Sequence, residues 1–153
     1  QKIAERRNHT EDAKKAEKAV DNMLNAIYEY GWDGDWFLRA YDRFGNKIGS
    51  KECEEGQIFI EPQSFMGMAK VGIENGMLEK SMNALRERLF TEHGVVVQQP
   101  AYTKYNFTLG EITSYPPGVK ENAGVFCHPN GWVVIAECNL GRGDEAMKYY
   151  KTI

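Results

Sequence analysis

The sequence is poor in the residues that build disulfides and metal centres. It contains three cysteines and three histidines in 153 residues. Cys53, Cys127 and Cys138 form neither a CxxC pair nor an even disulfide framework. The adjacent Cys127 and His128 have no second pair at the spacing of zinc ligands. We therefore expect reduced thiols in a cytoplasmic protein that needs neither a metal nor a cofactor.

An excess of one charge and long apolar runs are also absent. The 19 basic residues stand against 22 acidic ones, for a net charge of −3, which leaves no basic face for nucleic acid. No apolar run approaches the roughly 18 residues of a membrane span, and no signal-peptide pattern is present. We therefore expect neither a nucleic acid nor a membrane as a partner.

What the chain does contain is enough apolar material for a core. Apolar residues make up 42% and aromatic residues 12% of the sequence, as in one ordinary domain or part of a larger one. The sequence begins at Gln1 rather than at a methionine, and it ends within a predicted helix. We therefore interpret the chain as a fragment of a longer polypeptide.

Hydrophobic periodicity predicts a mainly α fold with one short hairpin. Thr10 is predicted to cap the first long helix, Gly31 ends it, and the segment 98–122 has no period at all. The predicted helices cover 10–30, 62–76, 77–89, 129–140 and 144–153, and the predicted strands cover 36–41, 47–49 and 95–97.

The helices after the hairpin repeat. Pro62 and Gly76 stand 14 residues apart, as do Pro129 and Gly143, so both landmarks recur after 67 residues. In each pair the first helix is apolar nearly all round and the second carries a charged face. This pattern is typical of an inner and an outer helix in a closed helical array.

Two short stretches have both a functional and a structural interpretation. Trp32-Asp-Gly-Asp-Trp36 suits a sugar platform of indoles and carboxylates, or a turn with both tryptophans in the core. Asp33 and Asp35 are too close for an inverting acid–base pair, which needs roughly 6.5–9.5 Å. In Ile60-Glu-Pro-Gln63, the polar residues cap a helix, or Gln63 contacts a substrate.

The segment 114–132 concentrates polar side chains beside a predicted helix start. Lys120 and Glu121 precede an uncharged stretch, and His128 stands directly before Pro129. A helix N-terminus with a histidine and a lysine nearby suits an anion. Glu121 suits sugar hydroxyls, with Tyr102 and Tyr115 as further hydroxyl contacts. The residues therefore indicate a site for phosphate and a polyol.

Three segments resemble a known family: Trp32-Asp-Gly-Asp-Trp-Phe-Leu-Arg-Ala-Tyr41, Gln99-Pro-Ala-Tyr-Thr-Lys-Tyr105 and Gly110-Glu-Ile-Thr-Ser-Tyr-Pro-Pro-Gly-Val-Lys-Glu-Asn-Ala-Gly-Val-Phe-Cys-His128. They are similar to the inverting β-glucoside phosphorylases of glycoside hydrolase family 94, which include cellobiose phosphorylase. The resemblance implies that residues 1–153 are part of a single (α/α)6 barrel of paired inner and outer helices with a short hairpin insertion. It also implies that cellobiose and phosphate give α-glucose 1-phosphate and glucose with inversion, in a homodimeric parent protein.

The resemblance also implies roles for individual residues. His128 would contact phosphate, while Tyr115, Lys120 and Glu121 would line the sugar subsites. The family's general acid is an aspartate in a Gly-Asp-Trp-Asn-Asp-Gly segment N-terminal to this region, and its Thr-Gly phosphate-binding residues lie beyond Ile153. Neither occurs here, so we expect no catalytic residue in this chain and no activity from the chain alone.

Two other functions remain open at this point. One is an inverting glucosidase on a related six-hairpin barrel, which would release sugar without phosphate. The other is a non-catalytic carbohydrate-binding module that would hold saccharide through Trp32 and Trp36 and would not need His128.

Overall fold

Helices dominate the computed structural model of this chain, which describes all residues from Gln1 to Ile153. The chain divides into two units, Gln1–Trp32 and Asp33–Ile153. None of the helices combines the length and the apolar character needed to cross a membrane.

The first unit consists of the helices α1 (Lys2–Arg6) and α2 (Thr10–Tyr30). The predicted long helix is confirmed, and it ends where expected, at Gly31. Thr10 is the first helical residue rather than the cap, because His9 occupies the capping position and no side chain caps the helix. The prediction of a Thr10 cap is therefore wrong by one residue.

The second unit contains two helix pairs and three short strand pairs. The predicted hairpin is confirmed, although its first strand is only two residues long. The elements are β1 (Ala40–Tyr41), β2 (Lys47–Ile48), β3 (Ile58–Phe59), α3 (Ile60–Ala69), α4 (Met77–Leu89), β4 (Phe90–Thr91), β5 (Gly94–Val95), β6 (Gln98–Gln99), a 3-10 turn (Gly110–Thr113), α5 (Cys127–Asn139) and α6 (Gly143–Thr152). The strands pair antiparallel as β1–β2, β3–β6 and β4–β5.

The helices pack as part of an (α/α)6 barrel. The inner helices α3 and α5 lie against each other, with α4 packed on α3 and α6 packed on α5. The two inner helices run parallel, because Phe65 packs against Trp132 and, further along both helices, Gly67 closely approaches Ala136. The apolar stripe of α4 is completely buried in the core and consists of Leu78, Met82, Leu85 and Leu89.

Two predicted helix bounds are wrong in ways that affect the site. Helix α3 ends at Ala69 because Lys70 adopts a left-handed conformation with φ +59°, whereas the sequence suggested that the helix reached Gly76. Helix α5 begins at Cys127 rather than at Pro129. His128 therefore lies inside the first turn of α5 instead of before it.

A cluster of charged residues links the outer helices to α5. Glu137 of α5 is fully buried, its Oε2 lies 3.7 Å from Nη1 of Arg142, and neither carboxylate oxygen accepts a hydrogen bond from another residue. Burial raises the pKa of Glu137, against the opposing effect of Arg142 and Arg86, while Glu145 adds to the rise. The nearby Tyr149 hydroxyl is also buried, and burial raises its pKa as well.

This cluster makes stability depend on pH through Glu137. A carboxyl group with a raised folded-state pKa favours folding most below its unfolded pKa, and that contribution is lost as the pH rises through the folded pKa. We expect Glu137→Gln to gain stability relative to wild type as the pH is raised above 4.5. Thermal unfolding between pH 4 and pH 8 of the polypeptide that carries this chain measures the difference. Glu87→Gln, at an exposed position of α4, is the matched control, and a pH-independent difference for Glu137→Gln contradicts the prediction.

Candidate functional site

The starts of the two inner helices meet at a single residue, Val97. Its carbonyl accepts a hydrogen bond from the backbone N–H of Ile60, the first residue of α3, at 2.9 Å. Its own N–H donates to the carbonyl of Gly124, just before α5, also at 2.9 Å. The first turns of α3 and α5 therefore lie at the same end of the inner-helix layer.

Gln63, predicted to contact substrate, is a buried structural amide. Its Nε2 donates to the carbonyls of Phe37 and Phe59, and its Oε1 accepts from the N–H of Phe37. The side chain is 0% exposed. A contact with substrate would require these bonds to break, so the structure assigns Gln63 to holding the start of α3 against the hairpin segment.

Asn130 repeats this arrangement in α5. Its Nδ2 donates to the carbonyls of Val95 and Phe126, and its Oδ1 accepts from the N–H of Val95. Asn130 follows Gln63 by the 67 residues of the predicted repeat, and it is also 0% exposed. The repeat predicted from the sequence is thus confirmed, and it includes the hydrogen bonds of these two side chains. The two amides anchor the starts of their helices to neighbouring backbone segments.

A third amide, that of Asn122, holds the loop before α5. Asn122 is fully buried, and its Oδ1 accepts from Nε2 of Gln98 and the N–H of Tyr102. Its Nδ2 donates to the carbonyls of Tyr102 and Tyr115. These bonds join the aromatic loop to the residues on either side of Asn122.

The loop presents three predicted sugar-binding residues together. Lys120 adopts a left-handed conformation with φ +50°, and its Nζ lies 4.7 Å from the centroid of the Tyr115 ring. Lys120 and Glu121 are exposed, and Tyr115 is half-buried. The side chains are therefore accessible to a ligand, while Asn122 next to them fixes the backbone.

His128 lies exposed in the first turn of α5 among aromatic rings. Its ring centroid is 5.1 Å from that of Trp132 and 6.0 Å from that of Phe126, both in edge-to-face geometry. A polar side chain here is close to the free backbone N–H groups of the helix start, which attract anions. The position fits the predicted contact with phosphate, which stays a prediction.

Tyr102, the other predicted hydroxyl contact, is placed differently. It is only 4% exposed, and burial raises the pKa of its hydroxyl to about 12. A Cβ added at Gly56 would lie 2.1 Å from this hydroxyl, which shows how closely the ring packs. The structure therefore gives Tyr102 a packing role and contradicts the predicted hydroxyl contact.

The segment around Trp36 is a structural turn rather than a sugar platform. Trp36 is 4% exposed, and its indole N–H donates to two backbone carbonyls. The Asp33 carboxylate accepts from the Ser50 hydroxyl and from the backbone N–H of Lys51. The turn interpretation is confirmed for Trp36, which lies in the core, whereas Trp32 is only half-buried. The proposal that Trp36 stacks on a saccharide is wrong.

The sequence suggested only a capping role for Glu61, and no side chain caps α3. Glu61 is half-buried in the first turn of α3, and its Oε2 is enclosed without a hydrogen-bond partner. The 67-residue repeat aligns it with His128. That alignment was the available signal, because it places the two side chains at equivalent positions of neighbouring inner helices.

Paired inner and outer helices, with polar side chains at the inner-helix starts, are typical of part of a helical-barrel domain. The chain belongs to the glycosyl hydrolase 94 superfamily, whose catalytic-domain model matches residues 1–153.

Several characterised proteins are similar to this chain. The solabiose phosphorylase of Paenibacillus borealis is 35% identical over 131 residues, which is 86% of this chain and 17% of that protein. The N,N′-diacetylchitobiose phosphorylase of Vibrio furnissii is 34% identical over 151 residues, or 95% of this chain and 19% of that protein. The enzyme of the same name from Vibrio proteolyticus is 36% identical over 135 residues, or 86% and 17%.

The chain thus spans less than a fifth of the length of these relatives. The family predicted from the sequence is confirmed. The relatives are named as phosphorylases of different disaccharides, so the family is broader than the cellobiose phosphorylase that the sequence resemblance suggested.

Proposed function

We propose that this chain is part of the catalytic domain of an inverting phosphorylase, which cleaves a β-linked disaccharide with inorganic phosphate. The observation that carries the proposal is the exposed His128 in the first turn of α5, directly after a loop that presents Tyr115, Lys120 and Glu121. One end of the inner-helix layer thereby offers an anion site next to side chains suited to hydroxyl groups.

The charge of each side chain decides whether it binds phosphate or the sugar. The helix start and His128 hold phosphate, because unpaired backbone N–H groups and a histidine donate hydrogen bonds to its oxygens. Glu121 accepts hydrogen bonds from sugar hydroxyls, and its negative charge keeps it away from phosphate. Lys120, above the Tyr115 ring, donates to sugar oxygens.

Phosphate replaces the water and the base of an inverting hydrolase. An inverting hydrolase needs one carboxylic acid to protonate the leaving oxygen and one carboxylate to activate water. Phosphate is itself a nucleophile, so only the acid is required. Phosphate attacks the anomeric carbon, the glycosidic bond breaks, and the leaving sugar takes a proton from the acid, which the family resemblance places outside this chain.

Phosphate dependence tests this proposal. The complete polypeptide is incubated with cellobiose, N,N′-diacetylchitobiose or solabiose, with and without phosphate, and the sugar 1-phosphate is measured. We expect product from at least one disaccharide and only when phosphate is present, with none from this chain alone. Cellobiose is the substrate implied by the sequence resemblance, and the other two are those of the relatives. Sugar release without phosphate would instead support the inverting glucosidase.

His128→Ala should selectively impair phosphate use. Loss of a hydrogen bond to a charged group corresponds to roughly a 10- to 150-fold rise in the KM for phosphate, with little change in the KM for the disaccharide. Steady-state kinetics with each substrate varied in turn measures both constants. His93→Ala removes an exposed histidine in the turn between β4 and β5 and serves as the control. Equal losses for both substrates contradict a phosphate contact.

A further inference from the structure

We propose that Glu61 binds hydroxyl groups of the sugar in the same site, on the opposite side from His128. This inference rests on the proposed function and adds a residue that determines sugar binding. It replaces Gln63, two positions away, as the contact from the start of α3.

The position of Glu61 follows from the internal repeat. Gln63 and Asn130 make the same pattern of hydrogen bonds, so the first turns of α3 and α5 are superimposable units. Glu61 precedes Gln63 as His128 precedes Asn130. Because Val97 bonds to both segments, Glu61 and His128 lie at the same end of the inner layer, at equivalent positions of neighbouring helices.

The hydrogen bonding of Glu61 is incomplete, in contrast to that of Gln63. Its Oε2 is enclosed and accepts no hydrogen bond from the chain. A carboxylate can accept about four hydrogen bonds, and an enclosed polar atom without a partner costs stability. Because Oε2 has no hydrogen bond to break, the half-buried side chain can turn toward sugar hydroxyls, which supply the missing donors. Phosphate does not supply them, because two anions repel each other.

The surroundings of Glu61 suit a pyranose. One turn further along α3, Phe65 is 42% exposed, and its ring packs against that of Trp132, with the centroids 4.8 Å apart and the ring planes tilted by 39°. Trp132 in turn contacts His128. A row of aromatic rings thus runs between the two helix starts, and it can pack against the apolar C–H face of a sugar. A carboxylate next to aromatic rings is a combination for binding carbohydrate.

Kinetics of the complete polypeptide tests the role of Glu61. Glu61→Gln keeps the size of the side chain and removes its charge, and Glu61→Ala removes the acceptor entirely. We expect the KM for the disaccharide, measured with the substrate that wild type cleaves, to rise about 10-fold in Glu61→Gln and further in Glu61→Ala. The KM for phosphate should stay within about twofold, the reverse of the pattern for His128→Ala. Glu74→Gln, at an exposed position after α3, is the control.

The outcomes separate this inference from the proposed function. If wild type forms no sugar 1-phosphate with any disaccharide, the proposed function fails. If wild type is active and Glu61→Gln keeps both KM values, the role of Glu61 is wrong. A parallel rise of both KM values together with a lower melting temperature would show that Glu61 only stabilises the helix start, which also overturns the inference.

Discussion

Asn122→Ala is expected to lower the free energy of unfolding by about 3–5 kcal/mol, because several buried groups lose their hydrogen-bond partners at once. The carbonyls of Tyr102 and Tyr115 lose a donor, and the Tyr102 N–H and the Gln98 amide lose an acceptor. The site is completely buried, so water cannot readily replace the lost bonds. Thermal or denaturant unfolding of the complete polypeptide measures the loss.

The same substitution should also weaken sugar binding. Asn122 directly follows Lys120 and Glu121, and it fixes the backbone of Tyr115. Without it, the three side chains lose their fixed spacing, and we expect the KM for the disaccharide to rise more than the KM for phosphate. The helix start that carries His128 is held separately, by Asn130. We therefore expect the KM for phosphate to change less than the KM for the disaccharide.

Two further variants test whether the loss of stability comes from the buried hydrogen bonds of Asn122. Asn122→Asp keeps the acceptor Oδ1 but replaces the donor Nδ2 with a second oxygen, so it should also be destabilised, by a buried charge facing two carbonyls. Asn46→Ala removes an exposed side chain whose Nδ2 bonds Asp42 in the hairpin turn, and it should change stability by less than about 1 kcal/mol. A melting temperature for Asn122→Ala close to that of Asn46→Ala would contradict a structural role for the loop amide.

The sequence predicted a group of loop side chains that the structure places close together and accessible, but it misjudged the start of α3. Tyr115, Lys120 and Glu121 are contiguous or nearly so, and their proximity follows from the short loop itself. Glu61 and Gln63 lie two apart on a helix, so their side chains point about 200° away from each other. Which one faces a ligand depends on what packs beside the helix, and this is not readable from local spacing. The aligned amide at position 130 was the one sequence signal that Gln63 is structural.

The misplaced helix bounds have a local explanation. Proline is tolerated anywhere in the first turn, because those N–H groups have no partner within the helix. Pro62 and Pro129 therefore mark the first turn but not the first residue, and both helices begin two residues earlier. The end of α3 falls at Lys70, where left-handed geometry is usually taken by glycine or asparagine. The sequence consequently gave no stop signal there.

The residue types around Trp36 could not by themselves distinguish a sugar platform from a buried turn. Indoles beside carboxylates occur both in sugar platforms and in buried turns, and the residue types are the same. What differs is burial, which depends on the distant segments that supply the carbonyls of Gly49 and Gln57. Such long-range partners become visible only in the folded structure.

Gly67→Ala is expected to lower the free energy of unfolding by about 3 kcal/mol, because it overpacks the contact between α3 and α5. An added Cβ would lie 2.3 Å from the Cβ and 3.0 Å from the Cα of Ala136, so the inner helices must separate. The intrinsic preference of a helix for alanine over glycine, about 1 kcal/mol, works in the opposite direction. A net loss of stability would therefore show that the close approach of the two helices dominates.

The pair Gly67 and Ala136 also allows a direct test of this contact by exchange. In Gly67→Ala/Ala136→Gly the methyl group changes sides, and the helices can keep their spacing. We expect the double variant to recover most of the lost stability, with a coupling energy of about 2 kcal/mol in a double-mutant cycle. It should also recover substrate binding, because the spacing of α3 and α5 sets the gap between Glu61 and His128. Additive losses in the cycle would mean that these residues do not set the helix spacing, and the geometry of the site would then need another origin.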